Sequence, residues 1–181
     1  MTAKERREGA LIAVDGVDGA AVKAAARALL PAIPAARRAG VSGWDSSGLF
    51  ADLMIAPQEA GSPSARTLLL FYAADVAFRL RWQIRPAIDE GKVVIAAPYV
   101  ATAIAFGRAA GLPAAWLDDL FTFALPPSET RFVGEMPRRA SAKRSGFVDF
   151  GIRCLDGNPN GTMRRELVTR MRAYLKASAR R

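Results

Sequence analysis

Apolar residues along this chain switch period repeatedly, from short unbroken runs to the three- and four-residue spacing of helices. Leu11 to Val14 reads as a short buried strand. Ala20 to Leu30 is an alanine-rich helix stopped by Pro31 and Pro34. Arg37 to Gly48 is turn-like, with Gly40, Gly43, Gly48 and paired serines, and Leu49 to Ile55 is a short helix ended by Pro57. After a loop over Gln58 to Ser64, Ser62-Pro63-Ser64 supplies caps for a long helix running to Asp89. Its buried face is Leu69, Tyr72, Ala73, Val76, Leu80 and Ile84, and Pro86 should kink it or begin its last turn. Lys92 to Ala97 is a compact apolar run, the mark of a parallel strand covered on both faces.

The second half repeats the alternation. Tyr99 to Ala109 is helical, Gly111-Leu112-Pro113 turns the chain, and Trp116 to Phe123 is a further helix closed by Pro126-Pro127. Thr130 to Val133 is expected as a third central strand, Arg138 to Gly146 as a basic connector and Phe147 to Leu155 as a terminal strand. A dense turn, Asp156 to Gly161, precedes a last helix capped by Thr162 and reaching about Ala177. Strands alternating with helices predict an α/β fold, a three-layer doubly wound parallel sheet. With 181 residues and no long linker, residues 1–181 are expected to form one domain.

Composition narrows the chemistry. There is no histidine, which excludes a His-based triad and most zinc sites, and one cysteine, Cys154, which cannot form an internal disulfide. Cys154 lies in the expected terminal strand and reads as an inert structural thiol; no metal is expected. No apolar run approaches the length of a membrane span, and the polar start followed by a run broken at Asp15 and Asp18 is a first strand rather than a signal peptide, so a cytoplasmic protein without membrane contact is expected. The net charge of +9 favours anionic partners. Basic residues concentrate late, in the final helix and tail above all, but no aromatic residues interleave there, so nucleic acid is an unfavoured partner and a nucleotide or other anion a favoured one.

The first strand and helix meet where a phosphate-binding loop would lie. That loop requires G-x-x-x-x-G-K-[ST]. Gly16 is in place, but the second glycine is Ala21, the lysine is Val22 and the magnesium-holding hydroxyl is Lys23. Lys23 is displaced from the lysine position by one residue, roughly 100° around a helix.

Val14-Asp15-Gly16-Val17-Asp18-Gly19, Leu68-Leu69-Leu70-Phe71-Tyr72-Ala73-Ala74-Asp75, Ile84-Arg85-Pro86-Ala87, Val93 to Gly107 and Trp116-Leu117 to Phe123-Ala124 follow one another in an order that resembles the thymidylate kinases, within the P-loop nucleoside monophosphate kinases. The resemblance implies a P-loop fold, ATP and Mg2+ as cofactors in an active member, and a homodimer packed through the long helix 64–88, with Phe71, Phe78 and Trp82 as core or interface candidates. It also exposes losses. The arginine that would hold the acceptor phosphate aligns with Val76, a following Asp-Arg pair with Ala97-Pro98, and a base-reading glutamine with Gly107. Tyr99, Thr102 and Phe106 survive as remnants of the acceptor site, joined by Phe71 and by Trp44 in the segment replacing a glycine-rich loop. The arginine-bearing lid is shortened to Gly134–Gly146.

The expectation is therefore a thymidylate-kinase-like protein that no longer transfers phosphate, a binding or assembly module needing no cofactor. The alternative is an active kinase with rearranged ligands. Asp15 and Lys23 are its catalytic candidates, and Gly16, Asp18, Gly19, Lys23, Arg138, Arg139 and Arg144 its phosphate-binding candidates. A further alternative is a polyanion binder acting through the basic C-terminal helix, whose binding should fall steeply with salt.

Overall fold

The computed structural model describes residues 8–53, 61–134, 146–156 and 161–180. Its sheet has four strands, β1 (Ala10–Gly16), β2 (Arg38–Gly43), β3 (Val93–Ala97) and β4 (Glu129–Val133). They are all parallel, in the order β2-β3-β1-β4, with Ala10 opposite Val93, Gly43 opposite Ala97 and Asp15 opposite Phe132. The helices are α1 (Gly19–Leu29), α2 (Leu49–Leu53), α3 (Ala65–Arg79), α4 (Arg85–Asp89), α5 (Val100–Ala109), α6 (Ala114–Leu120), α7 (Phe147–Asp156) and α8 (Thr162–Ser178).

Strand side chains alternate between two cores, which gives the three layers. Val14, Val93, Ile95 and Ala97 pack with Val22 and Ala26 of α1 on one face. Leu11, Ala13, Val94 and Ala96 pack with the buried faces of α3, α5 and α8 on the other. The central strand β3 is buried along its whole length, as its unbroken apolar run predicts. No described helix is long and apolar enough to cross a membrane.

The long helix of the sequence is continuous from Ala65 to Asp89, but a π-turn at Leu80–Ile84 divides it into α3 and α4. Pro86 has no N–H, and the wide turn just before it, closed by Arg85 N–H to the Leu80 carbonyl, absorbs the interruption. Gly91 ends α4 with φ of 75°, and the N–H groups of Gly91 and Lys92 satisfy the Ile88 and Ala87 carbonyls. A side chain would be strained in that left-handed conformation.

Three expectations are corrected. Arg38–Gly43 is a strand rather than turn: its glycines leave no alternating pattern, and it is recruited by pairing with β3, with a register shift between Arg38 and Gly40. Thr130–Val133 does belong to a strand, but at the edge of the sheet and not at its centre. Phe147–Leu155 is helical, not a terminal strand: Phe147, Val148, Phe150, Gly151 and Ile152 are buried together as the inner face of α7, and Asp149 bonds Arg164 of α8 at 2.6 Å with both side chains nearly inaccessible. Cys154 thereby sits half-buried on a helix, and burial pushes its thiol pKa up. The shortened lid lies mostly outside the described residues.

The helical α7 makes Phe147 a central packing residue, 1% exposed. Phe147→Ala should cost about 3–5 kcal/mol in urea denaturation; an exposed edge strand at this position would give a much smaller loss.

Candidate functional site at the C-terminal edge of the sheet

Ligands of open parallel sheets bind where the strands end and the connections diverge. Here β1 ends at Gly16 and α1 begins at Gly19, so only Val17 and Asp18 connect them. Val17 is buried in the main core. Asp18 is the N-cap of α1, and its Oδ1 accepts the N–H groups of Ala20 (2.9 Å) and Ala21 (3.2 Å). These are the amides that a helix N-terminus would otherwise offer to an anion. Val22 turns inward and is 1% exposed, whereas Lys23 is exposed on the outer side of α1. Gly19 is approached from outside by Gly146: a Cβ on Gly146, whose φ is 106°, would lie 2.9 Å from Gly19 Cα.

Asp15 faces the other way. Its carboxylate is completely buried, and Oδ1 accepts Tyr99 N–H (2.9 Å), Thr102 N–H (3.0 Å) and the Thr102 hydroxyl (2.6 Å), capping α5 from the end of β1. Thr102 Oγ1 in turn accepts Gly16 N–H at 3.1 Å. Burial raises the Asp15 pKa against the opposing pull of these hydrogen bonds and of Arg79. Tyr99 donates its hydroxyl to the Leu125 carbonyl, and desolvation pushes its pKa up to about 12.

Arg79 crosses the ends of β2 and β3, fully buried. Its Nε donates to Ser42 Oγ (3.0 Å) and its Nη2 to the Ser42 and Pro98 carbonyls (2.8 and 2.9 Å). Nη1 lies 3.7 Å from Asp75. Asp75 accepts Asp45 N–H and the Ser47 N–H and hydroxyl, and so fixes the loop after β2 in which Asp45 has a φ of 60°. The pair had a sequence signal, since Asp75 and Arg79 stand four apart beside the apolar arc of Tyr72, Val76 and Leu80.

Above these polar groups the cleft is filled with rings. Phe147 packs against Tyr72 (4.5 Å between centroids), Phe106 (4.9 Å), Phe50 (5.9 Å) and Trp44 (6.4 Å). Phe150 adds contacts to Phe50 and Trp44, and Phe71 touches Phe50. The structure thus brings Trp44, Phe71 and Phe106 into one cluster, with Tyr99 and Thr102 at the adjoining start of α5. The wedge from α7 departs from the expected terminal strand, in which Phe147 and Phe150 would face opposite sides. At Gly107 a Cβ would meet Leu117 and Leu69 side chains at 2.5 and 2.6 Å, so the helices close where a longer side chain would reach in. Of the phosphate candidates, Gly16, Asp18 and Gly19 adjoin, Lys23 points away, and Arg138, Arg139 and Arg144 lie outside the described residues. Among the described residues no three acidic, cysteine or histidine side chains are grouped to hold a metal ion.

No family model matches this chain. It is 30% identical over 132 residues to the probable thymidylate kinase 2 of Saccharolobus solfataricus, covering 73% of this chain and 62% of that one. It is 31% identical over 144 residues to the thymidylate kinase of Symbiobacterium thermophilum, covering 75% and 67%. Over the matched part, then, the chain spans less than two thirds of the first relative and about two thirds of the second. The crystal structure of thymidylate kinase from Ehrlichia chaffeensis superposes with a TM-score of 0.65 at 16% identity, over 96% of this chain and 87% of that one, a likeness of fold. With its parallel sheet, its β1–α1 junction and this kinship in sequence, the chain belongs to the thymidylate kinase family.

Proposed function

We propose that this protein is a thymidylate-kinase-like pseudokinase, a binding or assembly module on a kinase fold that does not transfer phosphate. The observation that carries the reading is Asp18: its carboxylate takes the two α1 amides that would face a phosphate. A β- or γ-phosphate there would meet like charge, and the position of the loop's lysine is taken by Val22, which is turned into the core. The residues present do not fit a magnesium nucleotide at this junction. Two further observations support the reading: Phe147 of α7 packs against Tyr72 and Phe106, the latter named above as an acceptor-site remnant, and Arg79 gives its Nε and Nη2 to serine and backbone oxygens.

On this reading Asp15 is a helix cap and not a base. Self-association along the long helix accords with the outward Leu70 (51% exposed), Phe78 (37%) and Trp82 (64%), too many large apolar groups on one helix for a surface with no partner.

With Mg2+-ATP and dTMP at millimolar concentration, calorimetry and thermal melting should show neither binding nor stabilisation, and no dTDP should form; turnover of dTMP would end the pseudokinase reading. For Asp15 the sign of the pH effect is fixed by its raised pKa. Between the ordinary value of 3.8 and the higher folded value, the native state holds a proton that the unfolded state releases. Its contribution therefore falls as pH rises through that window and stays unfavourable above it. Asp15→Asn retains the accepting oxygen and removes the charge, so in denaturant titrations the difference in stability should move in the variant's favour as pH rises above 4. A gap that stays constant with pH would contradict a desolvated Asp15 carboxylate. For the helix face, sedimentation should give a dimer that Trp82→Asp shifts to monomer, and a parent monomeric at tens of micromolar would remove this contact.

A further inference from the structure

From Thr162 to Arg180 the chain carries six basic residues and one acidic residue, Glu166. Their places on α8 and its closing turn sort them by face. Arg164 lies on the inner face with Leu167, Val168, Met171 and Leu175, where Asp149 of α7 holds it at 2.6 Å. Arg170 lies on the outer face, 4.0 Å from Glu166 one turn earlier. The other four, Arg165, Arg172, Lys176 and Arg180, are all exposed. At about 100° per residue they fall within an arc of about 80°. Otherwise that arc holds only Thr162 and Thr169, and no acid. At about 1.5 Å per residue the row is about 22 Å long.

The row is fixed to the body of the protein. The buried apolar residues and the Asp149–Arg164 pair seat the inner face of α8, and the Arg108 guanidinium of α5 stacks over Tyr174, 5.2 Å from the ring centroid. The charges are therefore presented in line on a rigid rod, and a partner need not order them.

Cations in a row suit a partner whose anions are also in a row, and the neighbouring residues narrow the choice. Thr169, Ala173 and Ala177 are small, and no exposed position of α8 carries a bulky apolar group to enter a bilayer beside the charges. The arc holds no aromatic residue, which disfavours a single strand held by stacked bases. A duplex needs no such platform. It carries about one charge per 1.7 Å of its axis, so the row spans enough phosphates for each cation to meet one. Three of the four cations are arginines, whose planar fork matches phosphate oxygens. Contacts to phosphate position a duplex without reading its bases.

We infer that this flank of α8 is a docking surface for the backbone of a double-stranded nucleic acid, held without sequence preference by Arg165, Arg172, Lys176 and Arg180. The surface uses no residue of the cleft, so it stands apart from whether the fold transfers phosphate.

Fluorescence anisotropy tests it, with the full chain titrated into a labelled DNA duplex of about 20 base pairs at about 50 to 200 mM salt. For four phosphate contacts the slope of log affinity against log salt should be about −3.6, and affinity should fall about a hundredfold over that range. Arg165→Gln, Lys176→Gln and Arg180→Gln should each reduce the slope by about 0.9, and together should leave about −0.9. Glutamine is a good helix former, and melting curves matched to the parent's will show that the fold is kept. Arg27→Gln, Arg85→Gln and Arg131→Gln, exposed on α1, α4 and β4, remove the same charge elsewhere and should together leave the slope near its parent value. An equal loss of slope in the two triple variants would reduce the effect to net charge and overturn the proposal. So would a duplex left unbound at about 50 mM salt, or tighter binding to phosphatidylserine vesicles, to polyglutamate or to a single strand of the same length.

Discussion

The buried carboxylate of Asp15 ties the middle of the sheet to the helix packed over it. One oxygen takes three donors from Tyr99 and Thr102, and Thr102 hands the connection back to Gly16 at the end of the same strand. Three residues later Asp18 does the corresponding work for α1. The two helix N-termini nearest the strand ends are thus both met by carboxylates from one four-residue segment, Asp15 to Asp18. Positive helix ends favour negative charge, and here the protein supplies that charge itself. The geometry of the whole C-terminal edge follows, because α5 and α1 flank the central strand from opposite faces.

Desolvation is offset only in part by the bonds around it, since Asp15 Oδ2 and Arg79 Nη1 are buried without a hydrogen-bond partner among the described residues. Arg79 is among the largest fully buried side chains, and its planar fork reaches oxygens on β2 and on the residue after β3. A lysine could not hold the same set, since one ammonium lacks the fixed spacing of a guanidinium. Asp75 keeps the loop after β2 in place from the same helix. The aromatic wedge of α7 then covers this polar layer, and the Asp149–Arg164 pair anchors the wedge to α8.

What the sequence discloses divides along physical lines. β1, β3, α3 and α5 carry strong local periods, so their places were legible, and the interruption near Pro86 was legible from proline's missing donor. β2 was not: Arg-Ala-Gly-Val-Ser-Gly has almost no pattern and becomes a strand because β3 offers it an edge. In Phe147–Leu155 the apolar positions suit both periods, with Val148, Phe150 and Ile152 alternating and Phe147, Val148, Gly151 and Leu155 at helical spacing. Tertiary packing against Trp44, Phe50 and Tyr72 decides for the helix. The altered phosphate loop could be read residue by residue, and Asp15 and Asp18 could be read as turn and helix-cap residues as well as ligands; which amides Asp18 takes could not, because helix starts depend on the cap the folded chain selects.

The irregularity between Arg38 and Gly40 matters for the far side of the sheet. There β2 forms the opposite edge, but its register slips and Gly40 adopts a φ of 121°, so the row of backbone groups is broken. A ladder that could be extended from both edges would polymerise into an endless ribbon. On the β2 side that extension is blocked by the strand's own geometry, since the slip and the left-handed glycine leave no even row of N–H and C=O groups on which a further strand could pair.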